Sequence, residues 1–143
     1  MDASCEFCRD TGGEVLWQDD FCRVVAAAEP DYPGFVRVIL QRHARELTDL
    51  AQDERSRLMA VVFAVEEAVR DAMGPEKMNV ASLGNMTPHV HWHVIPRFAD
   101  DRHFPGPVWA APKREAVVPA ARRDAARALP ASLATRLARA SAA

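Results

Sequence analysis

Three of the chain's five histidines fall within five residues, in the run His89-Val90-His91-Trp92-His93-Val94-Ile95-Pro96. Single apolar residues separate them, which is the period of a β-strand. On such a strand His89, His91 and His93 share one face, and Val90, Trp92 and Val94 share the other. Same-face neighbours lie roughly 7 Å apart, close enough to act on one small ligand. Imidazole near neutral pH serves as nucleophile, proton donor or metal ligand. Three readings follow: a polar surface strand, a His-x-His metal site, and covalent catalysis by a histidine. A metal site normally adds a carboxylate or a further histidine, and no acid lies on this strand. A histidine face opposite an apolar face has its best use looking into a cleft. The reading carried forward is nucleophilic catalysis, centred on His91.

A second cluster is Cys5-Glu6-Phe7-Cys8, with the spacing of a zinc knuckle. Two cysteines are half of a tetrahedral site. Taken alone the pair reads equally well as two free thiols. The third cysteine, Cys22, makes the count odd, and disulfides are not expected.

The elements that must position these groups are legible in outline. Glu14 to Gln18, Phe21 to Ala27 and Phe35 to Leu40 read as strands separated by turn residues, with Val36, Val38 and Leu40 on one face. Leu58, Val62, Val65, Val69 and Met73 recur at helical spacing and predict one long helix, capped by Thr48 or Asp53. Gly74-Pro75 stops it. Met78 to Leu83 and His89 to Ile95 complete five strands. The expected fold class is therefore α+β: a five-stranded, mostly antiparallel sheet backed by one long helix. The apolar face of the histidine strand is expected to bury against that helix.

A chain of 143 residues fits one compact domain. The tail from 110 to 143 differs from the body: it holds 7 of the 18 basic residues and only 2 of the 20 acids. It is rich in alanine, and residues 120–128 and 131–141 suggest short helices. Its charge invites a nucleic-acid partner, but no recognisable module or aromatic residue accompanies it, and such a partner is not expected. No apolar run is long enough for a membrane span, and the N-terminus lacks the regions of a signal peptide, so a cytoplasmic protein is expected.

The run His89 to Pro96 resembles the signature of the histidine triad (HIT) family. Asn79 to Pro88 is similar to the approach strand and turn of a bacterial branch of that family, and Val36 to His43 to its strand leading to a histidine. The resemblance covers about residues 5–109, giving a domain at 1–109 and an Ala/Arg-rich extension at 110–143. It implies a nucleotide hydrolase or transferase that cleaves at the α-phosphate, on a dinucleoside polyphosphate or a nucleoside phosphoramidate. A nucleotide-binding regulatory module with incidental activity is the alternative. By position His91 attacks the phosphorus, His93 serves the phosphate or leaving group, and His89 orients the site. Asn85 and Thr87 are expected to meet phosphate or ribose. Family members commonly hold the ribose with an acid between the second and third strands. Here that stretch reads Val25-Ala26-Ala27-Ala28-Glu29-Pro30, which leaves Glu29 as the candidate. The family also implies a structural zinc on Cys5, Cys8, His43 and His89, no organic cofactor, a purine nucleotide substrate and a homodimer. In the loop after the triad, Trp109 is a candidate to stack on a base or cover the core, and His103 reads as plain loop polarity.

Overall fold

The computed structural model describes residues 1–142. Five strands, β1 (Glu14–Gln18), β2 (Cys22–Ala26), β3 (Val36–Leu40), β4 (Lys77–Ala81) and β5 (His91–Arg97), form one sheet in the order β1-β2-β3-β5-β4. Every pairing is antiparallel. A four-residue helix, α1 (Glu6–Arg9), precedes the sheet. The long helix α2 (Gln52–Met73) joins β3 to β4, and α3 (Ala120–Ala126) and α4 (Leu129–Ala142) close the chain.

The two faces of the sheet divide the work. Cys22 and Val24 on β2, Val36, Val38 and Leu40 on β3, and Val94 on β5 pack in one apolar cluster against Leu58, Val62, Val65, Val69 and Met73 of α2. The helical stripe is thus buried along its whole length. Gly74 ends α2 in the left-handed region at φ 58°, its N–H bonded to the Arg70 carbonyl. The start of α2 differs from expectation. Neither Thr48 nor Asp53 is the cap: Thr48 lies in a 3₁₀ turn at Leu47–Asp49, and Ala51 precedes the helix with its N–H bonded to the Glu54 carboxylate.

The histidine strand also begins later than the alternation suggests. Its regular pairing starts at His91, opposite Ile39, and runs on to Arg97. Before it, the Val90 N–H turns to the Ala44 carbonyl and the His89 N–H to that of Thr87, so the chain leaves the ladder at Thr87-Pro88. His89 therefore sits at the mouth of β5.

The tail from residue 110 joins the same core. Leu129, Leu133 and Leu137, four apart on α4, are buried with the α2 stripe. Burying each such leucine contributes about 1.5–3 kcal/mol. Arg136 of α4 also pairs with Glu67 and Asp71 of α2. No helix among the described residues is long and apolar enough to cross a membrane.

On the other face, two buried arginines tie irregular segments to the sheet. Arg23 of β2 donates to the Phe7, Asp10 and Thr11 carbonyls and to the Gln41 side chain, at 2.7–3.1 Å. Arg97 of β5 donates to both Asp101 oxygens, to Asn79 Oδ1 and to the Gly106 carbonyl. Arg23 thereby fixes the N-terminal segment, and Arg97 the loop that follows β5. Burial would raise the Asp101 carboxyl, but the Arg97 guanidinium and the Phe98 and Phe104 N–H groups outweigh it and hold the pKa at about 2. A carboxyl lowered on folding contributes stability above its unfolded pKa and loses it as pH falls through the folded value. In urea unfolding at pH 7, Asp101→Asn is expected to cost about 3–5 kcal/mol. The gap should narrow by about 2 kcal/mol between roughly pH 4 and pH 2. A gap that stays constant with pH would refute this account.

Candidate active site

Antiparallel register decides which side chains share the open face. Ile39 pairs with His91 and Arg37 with His93, so all four project to the side away from α2. His91, His93 and Arg37 line a cavity of about 440 Å³. Its walls are Glu6 and Phe7 of α1, the turn from Leu83 to Thr87, and Trp109 from the loop after β5. Phe7 meets the His91 ring edge-on at 5.0 Å, and Trp109 meets His93 at 5.3 Å.

His91 is held in one tautomer. Its Nδ1 lies 2.6 Å from the His89 carbonyl, which accepts only, so Nδ1 carries the proton and Nε2 keeps its lone pair. The hydroxyl of Ser82 donates to the His91 carbonyl at 2.7 Å and fixes the backbone from the β4 side. Burial lowers the His91 pKa against the raising effect of the His89 carbonyl, and the Arg37 charge lowers it further. Burial, with His91 and Arg37 nearby, pushes His93 down to about 4. His93 Nδ1 is buried with no hydrogen-bond partner among the described residues. Both cavity histidines are thus neutral at pH 7, one with a free lone pair and the other with an unpartnered nitrogen.

His89, 1 % exposed, faces a different set of groups. Its Nε2 donates to the Leu40 carbonyl at 2.6 Å, leaving Nδ1 as an acceptor. That Nδ1 lies 3.4 Å from Cys5 Sγ, 3.6 Å from Cys8 Sγ and 3.3 Å from His43 Nδ1; Cys8 Sγ is 3.4 Å from His43 Nδ1. Zinc with Zn–S of about 2.3 Å and Zn–N of about 2.0–2.1 Å makes tetrahedral S···N edges of about 3.5 Å and N···N edges of about 3.3 Å. Four of the six edges thus match a Cys₂His₂ tetrahedron, all four ligand atoms lie within 4.8 Å of one another, and the residues fit the metal.

The other expected residues divide. Asn85 and Thr87 line the His91 cavity, and the Thr87 hydroxyl donates to the Glu6 carboxylate at 3.2 Å. Glu29 does not reach it. It is exposed and opens onto a separate cavity of about 430 Å³ beside Tyr32, Arg123 of α3 and Arg127 just after it. His103 has a partner: its Nδ1 is 2.6 Å from the Tyr32 hydroxyl, and the two rings stack. Glu6, Phe7, Arg37 and Ser82 were not singled out from the sequence. A signal existed for one of them: the alternation of β3 puts Arg37 on the face that Val36, Val38 and Leu40 do not use.

A family model for the HIT domain matches residues 10–100. The chain belongs to the HIT family. The HIT chain is 29 % identical over 101 residues to an AP-4-A phosphorylase of Mycobacterium tuberculosis, covering 66 % of this chain and 52 % of that protein. It is 30 % identical over 91 residues to the asymmetrical bis(5'-nucleosyl)-tetraphosphatase of Schizosaccharomyces pombe, covering 60 % and 50 %. The chain thus spans about half the length of these two curated relatives. Among solved structures, a histidine triad protein of Marinobacter aquaeolei is 28 % identical with a TM-score of 0.72, covering 97 % of this chain and 98 % of that one. One from Bradyrhizobium japonicum has a TM-score of 0.71 at 24 % identity, covering 88 % and 91 %, and shares the fold.

The hydrogen bonds fix opposite tautomers in neighbouring histidines. Long-range ¹H–¹⁵N spectra at pH 7 are expected to give the Nδ1–H pattern for His91 and the Nε2–H pattern for His89. An Nε2–H pattern at His91 would remove its free cavity nitrogen.

Proposed function

We propose that this HIT domain cleaves a nucleotide at its α-phosphorus through a covalent nucleotidyl-histidine, with His91 as the nucleophile. The observation that carries the reading is the His91 tautomer. Nδ1 is committed to the His89 carbonyl, so Nε2 offers its lone pair beside a cavity wide enough for a ligand. In the first step His91 Nε2 forms a bond to phosphorus, and the bond from phosphorus to the leaving group breaks with its electron pair. In the second, water attacks the same phosphorus, the P–N bond breaks and the mononucleotide leaves. Dividing the displacement in this way lowers each barrier. Neutral His93 supplies an N–H to the phosphate or leaving group. Asn85 and Thr87, in the turn before β5, are assigned to phosphate and ribose. Dinucleoside polyphosphates come first among the proposed substrates, a reading that the names of the two curated relatives support, and nucleoside phosphoramidates use the same chemistry with a different leaving group.

Cys5, Cys8, His43 and His89 are assigned as ligands of one structural zinc. With four protein ligands a bound zinc would have no open position, and it would tie the α1 segment to the start of β5 and hold His89 in place. The expected result is one zinc per chain by elemental analysis. Diadenosine tetraphosphate and adenosine phosphoramidate should be turned over by the wild type, with His91→Ala lowering the rate by roughly 10³-fold or more. Turnover should persist through brief chelation. Activity that survives His91→Ala, or vanishes on chelation while the fold is intact, would sink the covalent route. Binding without turnover would favour a nucleotide-binding module instead.

We also propose a homodimer joined along β4. That strand is an outer edge of the sheet with Val80 exposed, and an unpaired edge invites pairing. Light scattering at micromolar concentration should return twice the chain mass, and a monomer would refute it.

A further inference from the structure

Three arginines project from the histidine face of the sheet. Arg23 and Arg97 are saturated by carbonyl, amide and carboxylate acceptors from the protein itself. Arg37, between them on β3, is different. Among the described residues it has no hydrogen-bond acceptor and no acidic partner, and it lines the His91 cavity. A half-buried guanidinium that lines a cavity and has no protein acceptor among the described residues keeps its fork of N–H donors for a ligand's oxygens.

Its direction shows where that anion sits. His91 stands opposite Ile39, and His93 opposite Arg37. The Arg37 guanidinium lies 5.6 Å from the ring centre of Phe35, two residues back along β3 and on the side away from Ile39. The Phe35 ring in turn meets the His93 ring edge-on at 5.9 Å, so the charge lies on the His93 side of the cavity. The same stretch of the cavity holds the buried, unpartnered Nδ1 of His93 and the half-exposed Trp109. The one acid in the cavity wall, Glu6, already accepts from Thr87. Glu29, the remaining candidate acid, faces another cavity.

We propose that Arg37 determines specificity by binding a second phosphate of the substrate, beside the one that His91 attacks. This rests on the nucleotide reading above and deepens it: the preferred substrate carries two anionic groups. The second phosphate has two possible sources, the 5′ chain or the ribose, and both present the same chemistry to a guanidinium. Arginine suits the task because its fork takes two phosphate oxygens at once.

Calorimetric titration of the wild-type protein, Arg37→Gln and Arg37→Lys with AMP, ADP, adenosine 3′,5′-bisphosphate and inorganic pyrophosphate tests it. The wild type is expected to bind at least one bisphosphate about tenfold or more tighter than AMP. Arg37→Gln should erase that preference by weakening the doubly phosphorylated ligand about tenfold more than AMP, and Arg37→Lys should restore part of it. Preference for ADP assigns the second phosphate to the 5′ chain, and preference for the 3′,5′-bisphosphate to the ribose. Equal binding of AMP and both bisphosphates overturns the proposal, as does an equal loss for all ligands in Arg37→Gln. If the wild type binds no nucleotide, the nucleotide reading fails, and pyrophosphate decides this one separately. Pyrophosphate binding weakened in Arg37→Gln supports it, and no such difference overturns it.

Discussion

The bond from His91 Nδ1–H to the His89 carbonyl is the constraint on which the site depends. It joins a side chain to the backbone two residues earlier, so its geometry is only as good as the placement of His89. That residue lies outside the regular ladder, where the strand alone does not hold it. It is held instead by its own side chain: Nε2 on the Leu40 carbonyl, and Nδ1 among Cys5, Cys8 and His43. The end of β3, the N-terminal knuckle and the start of β5 therefore act in series on a single imidazole. A hydrogen bond of this kind, shielded from water, is stronger than an exposed one and also orients more firmly.

The same economy governs the cavity walls. Both α1 and the loop after β5 are irregular and would fray alone, since four-residue helices have little stability of their own. Each is stapled to the sheet by one buried arginine. Burying a guanidinium costs several kcal/mol unless its donors are met. Here Arg23 is met chiefly by main-chain carbonyls, and Arg97 by Asp101, Asn79 and Gly106. Apart from Asn79 on β4, these acceptors lie in the segments that carry Phe7 and Trp109 to the site. Satisfying the arginines and building the walls are thus one event. The helix face, by contrast, contributes stability through apolar burial and touches no cavity group.

How much of this could be read beforehand follows from the range of each interaction. Period-two alternation separates His91 and His93 from Trp92 and Val94, and the spacing from Leu58 to Met73 marks the buried helix stripe. Both are local patterns and both are legible in the sequence. The metal quartet was reached through family resemblance, because nothing local links Cys5 to His89 across the chain. Register between strands is non-local as well. That Arg37 faces His93, that Glu29 opens onto another cavity, and that Trp109 returns to His93 from beyond β5 depend on pairings no short window contains. The late start of β5 has a similar cause, since the Val90 N–H is drawn to Ala44. The leucines of α4 were legible in principle at their spacing of four, but alanine, proline and charge around them masked it.

The placement of charge in the cavity has one further consequence. A nucleophilic imidazole must be unprotonated, and an acid packed against it would favour the protonated form. In this chain the region between β2 and β3 offers alanines at 26–28, and the next acid turns outward. In the His91 cavity the Arg37 cation accompanies the acid of the wall, Glu6. Before a ligand arrives, Arg37 works with burial to keep protons off His91 and His93. On the proposed function, burial and Arg37 together keep His91 neutral for attack, against the opposing pull of Glu6.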